Sequence, residues 1–143
     1  MFELHPQLAK DGISVGDFPL SRLLLINDSH YPWFVLVPRR AGISEVFELT
    51  EEDQLQLGRE SVHLSRILHR IFNADKLNVA ALGNMVSQLH VHHIIRYRDD
   101  IAWPAPVWGK VPASPYSNEG LAKVLKTVHV ALEEGIEFVG VSS

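Results

Sequence analysis

The stretch Gly83-Asn84-Met85-Val86-Ser87-Gln88-Leu89-His90-Val91-His92-His93-Ile94-Ile95-Arg96 decides how this chain is read, because it puts three of eight histidines within four positions of a strand-forming run. With the two-residue period of a strand, Gln88, His90 and His92 project from one face and Leu89, Val91 and His93 from the other. Such alternation marks a strand with one side on a core and the other lining a cleft, and the cleft side here carries two imidazoles and a carboxamide. Imidazole, with an unperturbed pKa of about 6.5, works near neutral pH as base, acid, nucleophile or neutral metal ligand. Alternate strand positions hold their β-carbons roughly 6.5 to 7 Å apart, which suits two such rings to flank a phosphate or meet on a metal ion. The bland alternative is a solvated polar strand face. Three histidines so close together weigh against it.

Upstream of the stretch, residues 77–82 read as a strand that returns through a Gly83-Asn84 turn. Before it, Thr50-Glu51-Glu52-Asp53 has the form of an N-cap with an acidic first turn, and Leu57, Leu64, Ile67, Leu68, Ile71 and Phe72 recur at helical spacing. A helix is therefore predicted from Thr50 to about Phe72, with Arg59, Glu60, Arg66 and Arg70 on its wet face. His63 and His69 are six residues apart on that helix, point in different directions and are assigned ordinary surface or boundary roles.

Further upstream, residues 13–16, 21–27 and 33–37 have strand length and composition, and the turn residues Asn27-Asp28-Ser29-His30-Tyr31-Pro32 join the last two as a hairpin. Residues 1–12 read as a lead-in to the first strand. Downstream, Arg96 and Arg98 beside Asp99 and Asp100 make a solvated ion-paired loop at least as good a reading as a phosphate contact. Residues 101–109, rich in proline and tryptophan, are predicted extended, with Trp103 and Trp108 covering the sheet or sitting at a subunit contact. A last helix starts near Ser117 and ends before Gly135. The sum is an α+β chain in one domain, residues 1–143, with an antiparallel sheet of about five strands, one long helix between strands and a C-terminal helix.

Composition narrows the function classes. With 143 residues and 46% apolar content the chain is long enough for a real core. It has no cysteine, so disulfides, thiolate metal sites and cysteine nucleophiles are excluded. A net charge of -4 with scattered Lys and Arg argues against a nucleic-acid-binding surface, though not against a local phosphate pocket. The N-terminal residues lack a signal-peptide pattern and no run reaches the ~20 apolar residues of a membrane span, so a cytoplasmic location is expected.

The central stretch resembles the signature of the histidine-triad (HIT) superfamily, His-φ-His-φ-His-φ-φ with φ apolar, preceded four residues upstream by Gly-Gln-[Ser/Thr]-Val. Gly83 takes the glycine, Val86 the valine, His90 the middle histidine, His92 the third and Arg96 an arginine common after the motif. Gln88 stands where the first histidine belongs, Asn84 where the glutamine belongs, and His93 fills an apolar position. The hairpin extends the likeness: Leu25-Ile26-Asn27 matches a strand that ends in a ribose-binding Asp or Asn, and Val35-Leu36-Val37-Pro38 matches the family's Leu-Val-Ile-Pro.

The resemblance implies a nucleotide hydrolase or nucleotidyl transferase. Its middle histidine, His90, attacks an α-phosphorus; His92 holds phosphate oxygens and assists proton transfer; Gly83, Asn84 and Ser87 add donors. Leu25 and Asn27 face the nucleoside, with Asp28 the alternative ribose contact; Asn27 and Asp28 are equally well read as turn residues. The family generally forms homodimers and needs no cofactor or metal. Gln88 can donate a neutral hydrogen bond to phosphate but carries neither charge nor a transferable proton, a loss of roughly 1 to 3 kcal/mol. Two alternatives follow: a nucleotide-binding module with weak or lost catalysis, or a metal site built on His90 and His92, which lacks an identifiable third ligand.

Overall fold

A computed structural model describes residues 1–141 of the chain. Its centre is a six-stranded antiparallel sheet in the order β4-β5-β3-β2-β1-β6. The strands are β1 Gly12–Asp17, β2 Ser21–Ile26, β3 Trp33–Pro38, β4 Lys76–Ala80, β5 Val91–Arg96 and β6 Val139–Gly140, with helices α1 Pro6–Asp11, α2 Glu51–Ile71 and α3 Asn118–Leu132. The α+β class, the long helix between strands and the C-terminal helix are as the sequence predicts. The sixth strand is an addition: two residues pair with Gly16 and Asp17 of β1, and a Cβ at Gly16 would lie 2.4 Å from the Phe138 ring.

Two rows of cross-strand neighbours define the faces. Leu24, Val35, His92 and Ala80 stand side by side across β2, β3, β5 and β4, while Leu25, Phe34, His93 and Val79 form the adjacent row and point the opposite way. The second row faces α2 and α3, where Leu23, Leu25, Phe34, Leu36, Val91 and Ile95 pack with Leu57, Leu64, Leu68, Val128 and Leu132. On the first face Leu24, Val35 and Val37 meet Leu8 of α1, Val86 and the partly buried Phe2, Leu4 and Trp33. No helix among the described residues is long and apolar enough to cross a membrane.

Helix α2 starts as its sequence dictates. Thr50 Oγ1 accepts the Asp53 N–H at 3.1 Å, acidic residues fill the first turn, and His69 and Arg70 lie in the last. The Asp53 carboxylate takes a two-point contact from Arg40. Glu60 corrects the predicted wet face: it is fully buried and accepts the N–H groups of Leu20 and Ser21 at 2.8 and 3.0 Å. A buried carboxylate is tolerated because it accepts the two amides where the turn from β1 enters β2.

Three further expectations change. Residues 1–12 contain a six-residue helix, started by Pro6 at N1 and capped by His5, too short to show a period. Strand β5 begins at Val91, not Gln88, because its neighbour β3 ends at Pro38, which has no N–H for the ladder; the Leu89 N–H goes to Ile43 O at 2.9 Å. Residues 101–109 are a chain of turns, not an extended segment. The loop between is also not solvated at its root: Arg96, 1% exposed, donates Nε and Nη2 to Asp100 at 2.8 and 3.0 Å, Nη1 to Asn78 and Nη2 to Ala105 O.

Candidate functional site

The residues before β5 bring His90 and His92 together on the sheet's first face. Gly83, at φ +75°, turns the chain out of β4, the segment through Ser87 is largely exposed, and Val86 anchors it to the apolar cluster under α1. The ring centroids of His90 and His92 are 4.9 Å apart at an interplanar angle of 69°, and both residues are buried apart from an edge.

Hydrogen bonds fix which nitrogen carries each proton. His90 Nδ1 lies 2.7 Å from the Gln88 carbonyl, which only accepts, so Nδ1 is protonated and in the neutral ring Nε2 is the nitrogen with the lone pair. His92 is the reverse. The Trp33 indole N–H, which only donates, sits 3.0 Å from His92 Nδ1, so that nitrogen is bare and Nε2 holds the hydrogen. Trp108 closes the far side with its ring 5.1 Å from His92 and 5.9 Å from Trp33. His93, across the sheet, donates Nδ1–H to Val91 O and accepts the Ser61 hydroxyl at Nε2, a core role that explains an imidazole at an apolar position.

Burial pushes His92 down to about 3, with His90 and His93 adding to the shift, and burial takes His93 down to about 4 against the opposing bond to Val91 O. Both folded values lie below the unfolded value of about 6.5. In that window the unfolded chain binds protons that the native one refuses, so stability falls as pH falls from about 6.5 towards 4. Urea titrations at pH 7, 6 and 5 are expected to lose up to about 1.4 kcal/mol per pH unit for each histidine, and His93→Gln should remove one share of the slope. A slope unchanged in that variant would contradict the assignment.

The other sequence-predicted residues distribute unevenly. The Gln88 side chain is committed to the N-terminal segment, its Oε1 accepting His5 N–H at 2.9 Å and its Nε2 donating to Glu3 O at 2.8 Å. Ser87 and Gln88 also border a cleft of about 390 Å³ between residues 3–6 and 42–44. Gly83 and Asn84 lie in the exposed turn. Asn27 accepts the Tyr116 N–H at Oδ1, while buried Asp28 takes His30 N–H, the His30 ring and Ser114 N–H on one oxygen. Leu25 is fully buried on the helix-covered face, so it belongs to the core and Leu24 holds its place in the His92 row.

A larger groove of about 500 Å³, between the ends of α2 and α3, contains none of the triad residues. Among the described residues no group of three or more His, Cys, Asp or Glu side chains is placed to hold a metal ion, so His90 and His92 gain no third ligand of that kind. Trp33 and Trp108 are the site residues that sequence reasoning missed. Trp33 read as a residue of the strand 33–37 and Trp108 as cover for the sheet or a subunit contact; only the register of β3 against β5 and the fold of the 97–109 loop set both against His92.

An antiparallel sheet with His92 on β5 and His90 just before it, their rings 4.9 Å apart, is the arrangement in which the chain's family is recognised. The chain belongs to the histidine-triad family, whose members are generally nucleotide-binding hydrolases or transferases: the HIT domain family model matches residues 7–99. Among solved structures, a histidine triad protein from Marinobacter aquaeolei VT8 is 51% identical, with 93% of this chain and 97% of that one covered and a TM-score of 0.91. Histidine triad proteins from Bradyrhizobium japonicum (44% identity, coverage 91% and 97%, TM-score 0.89) and Sinorhizobium meliloti 1021 (42%, 92% and 97%, 0.89) are also similar. No match was found among curated proteins.

Proposed function

We propose that this protein is a nucleotide hydrolase or nucleotidyl transferase in which His90 carries the nucleotidyl group covalently. The observation that supports this is the 2.7 Å bond from His90 Nδ1–H to the Gln88 carbonyl, which leaves Nε2 as the only nucleophilic nitrogen of the ring. The Nε2 lone pair attacks the α-phosphorus and the bond to the leaving group breaks with its electron pair. Water then attacks phosphorus, the P–N bond breaks, and the water proton is released to solvent. His92 Nε2–H and the amides of residues 83–87, with Ser87 and Asn84, hold the phosphoryl oxygens.

Asn27 is the ribose contact, favoured over Asp28 because the latter's carboxylate already organises its own turn. Gln88 contributes no more than one amide N–H, since the other binds Glu3 O. Rapid mixing with a nucleotide labelled at the α-phosphate, quenched in alkali, should trap label on His90 at close to one per chain. Bound nucleotide without protein-linked label would make this a binding module instead.

A homodimer accompanies this reading. Leu55 and Val62 lie seven residues apart on α2 and Val79 lies on the edge strand β4, all about half exposed, which is the kind of apolar edge that a second copy covers. Sedimentation equilibrium is expected to give a dimer and Val62→Lys a monomer; a monomeric wild type at tens of micromolar would rule the dimer out.

A further inference from the structure

We infer that Trp33 is a positioning residue: its indole N–H occupies His92 Nδ1, so His92 offers the substrate only an Nε2–H, a neutral donor that steadies phosphoryl oxygens but has no proton to hand to a leaving group. This rests on the His90 reading above and withdraws from His92 the proton-transfer role that the family resemblance implies.

The geometry leaves His92 little choice. Protonating Nδ1 would set two N–H groups against each other at 3.0 Å, and the Trp108 ring on the far side, packed edge-on against both His92 and Trp33, limits rotation of the imidazole. The titratable groups that bear on His92 are His90 and His93 of its own segment; β3 offers Trp33, Val35 is its partner in the ladder, and Ala80 of β4 lies on its other side. No carboxylate among the described residues pairs with it, so no acidic side chain of the protein favours a cation there. Gln88 does not titrate. Neither position flanking His90 therefore supplies a proton, and the leaving oxygen must depart as an anion with the electron pair of the broken P–O bond.

That consequence selects substrates by the acidity of what leaves. Anhydride-linked groups, whose conjugate acids are strong, leave readily; alkoxides and amines do not. The site is thus suited to nucleotides joined through an anhydride oxygen.

Two measurements decide it. In ¹⁵N-histidine spectra from pH 5 to 8, wild-type His92 should be a single Nε2–H tautomer, and Trp33→Phe should give a mixture of tautomers with kcat/KM reduced about tenfold, the worth of one hydrogen bond. An Nδ1–H tautomer in the wild type overturns the assignment, as does a Trp33→Phe spectrum identical to it. With aryl esters of adenosine 5′-monophosphate, kcat/KM should fall steadily as the phenol becomes less acidic; a flat dependence, as a protonating residue elsewhere in the cleft would give, overturns the leaving-group conclusion. If the esters are inert but an anhydride-linked nucleotide turns over, the leaving-group conclusion is supported; if neither turns over, the His90 mechanism has failed and the spectra alone judge Trp33.

Discussion

Alanine at position 90 should leave nucleoside monophosphate binding within a few-fold of wild type while turnover falls by roughly 10⁴ to 10⁶, the scale seen when a covalent nucleophile is deleted. The substitution removes a ring that is nearly buried, touches His92, and among the described residues is held by a single bond to the Gln88 carbonyl, so the sheet behind it has little reason to move. The loss corresponds to about 5 to 8 kcal/mol of transition-state stabilisation. His90→Ala retaining a tenth or more of wild-type turnover would remove His90 from the covalent role. Isothermal titration with AMP and GMP, run beside steady-state assays, separates lost chemistry from lost binding.

Asp100→Ala is expected to be the most damaging single change to stability. Its carboxylate is 3% exposed, binds the Arg96 guanidinium at two points, and accepts N–H groups from Tyr97, Ala102 and Trp103. Burial alone would raise its pKa; the Arg96 hydrogen bonds, those backbone amides and the guanidinium charge outweigh burial and hold it below the usual carboxylate range. Removing it leaves a buried cation uncompensated, at a cost of about 3 to 5 kcal/mol. Calorimetry should show Tm lower by roughly 10 to 20 °C. A drop under 3 °C would mean that solvent reaches Arg96 after all.

The effect should extend to the site. Arg96 also donates to Ala105 O, and the loop it organises carries Trp108 onto His92. An Asp100 variant that stays folded at low temperature should therefore lose ordering of Trp108 before it loses the sheet, which near-ultraviolet circular dichroism would register ahead of the far-ultraviolet signal.

What the sequence determined by itself was whatever depends on short-range pattern. Period-two alternation put His92 and His93 on opposite faces, helical spacing and Thr50 set α2, and the histidine-rich stretch with its glycine turn pointed to the family, because these signals reside in neighbouring residues. Only the tertiary structure decided the partners of polar groups far apart in the chain. Glu60 looked wet by helical phase yet is buried, because amides forty residues upstream needed an acceptor. Gln88 holds the N-terminal segment, and Trp33, fifty-nine residues from His92, chooses that ring's tautomer. Hydrogen bonds are short-ranged in space but indifferent to sequence separation, so local pattern names the reactive side chains while the fold sets the protons they carry.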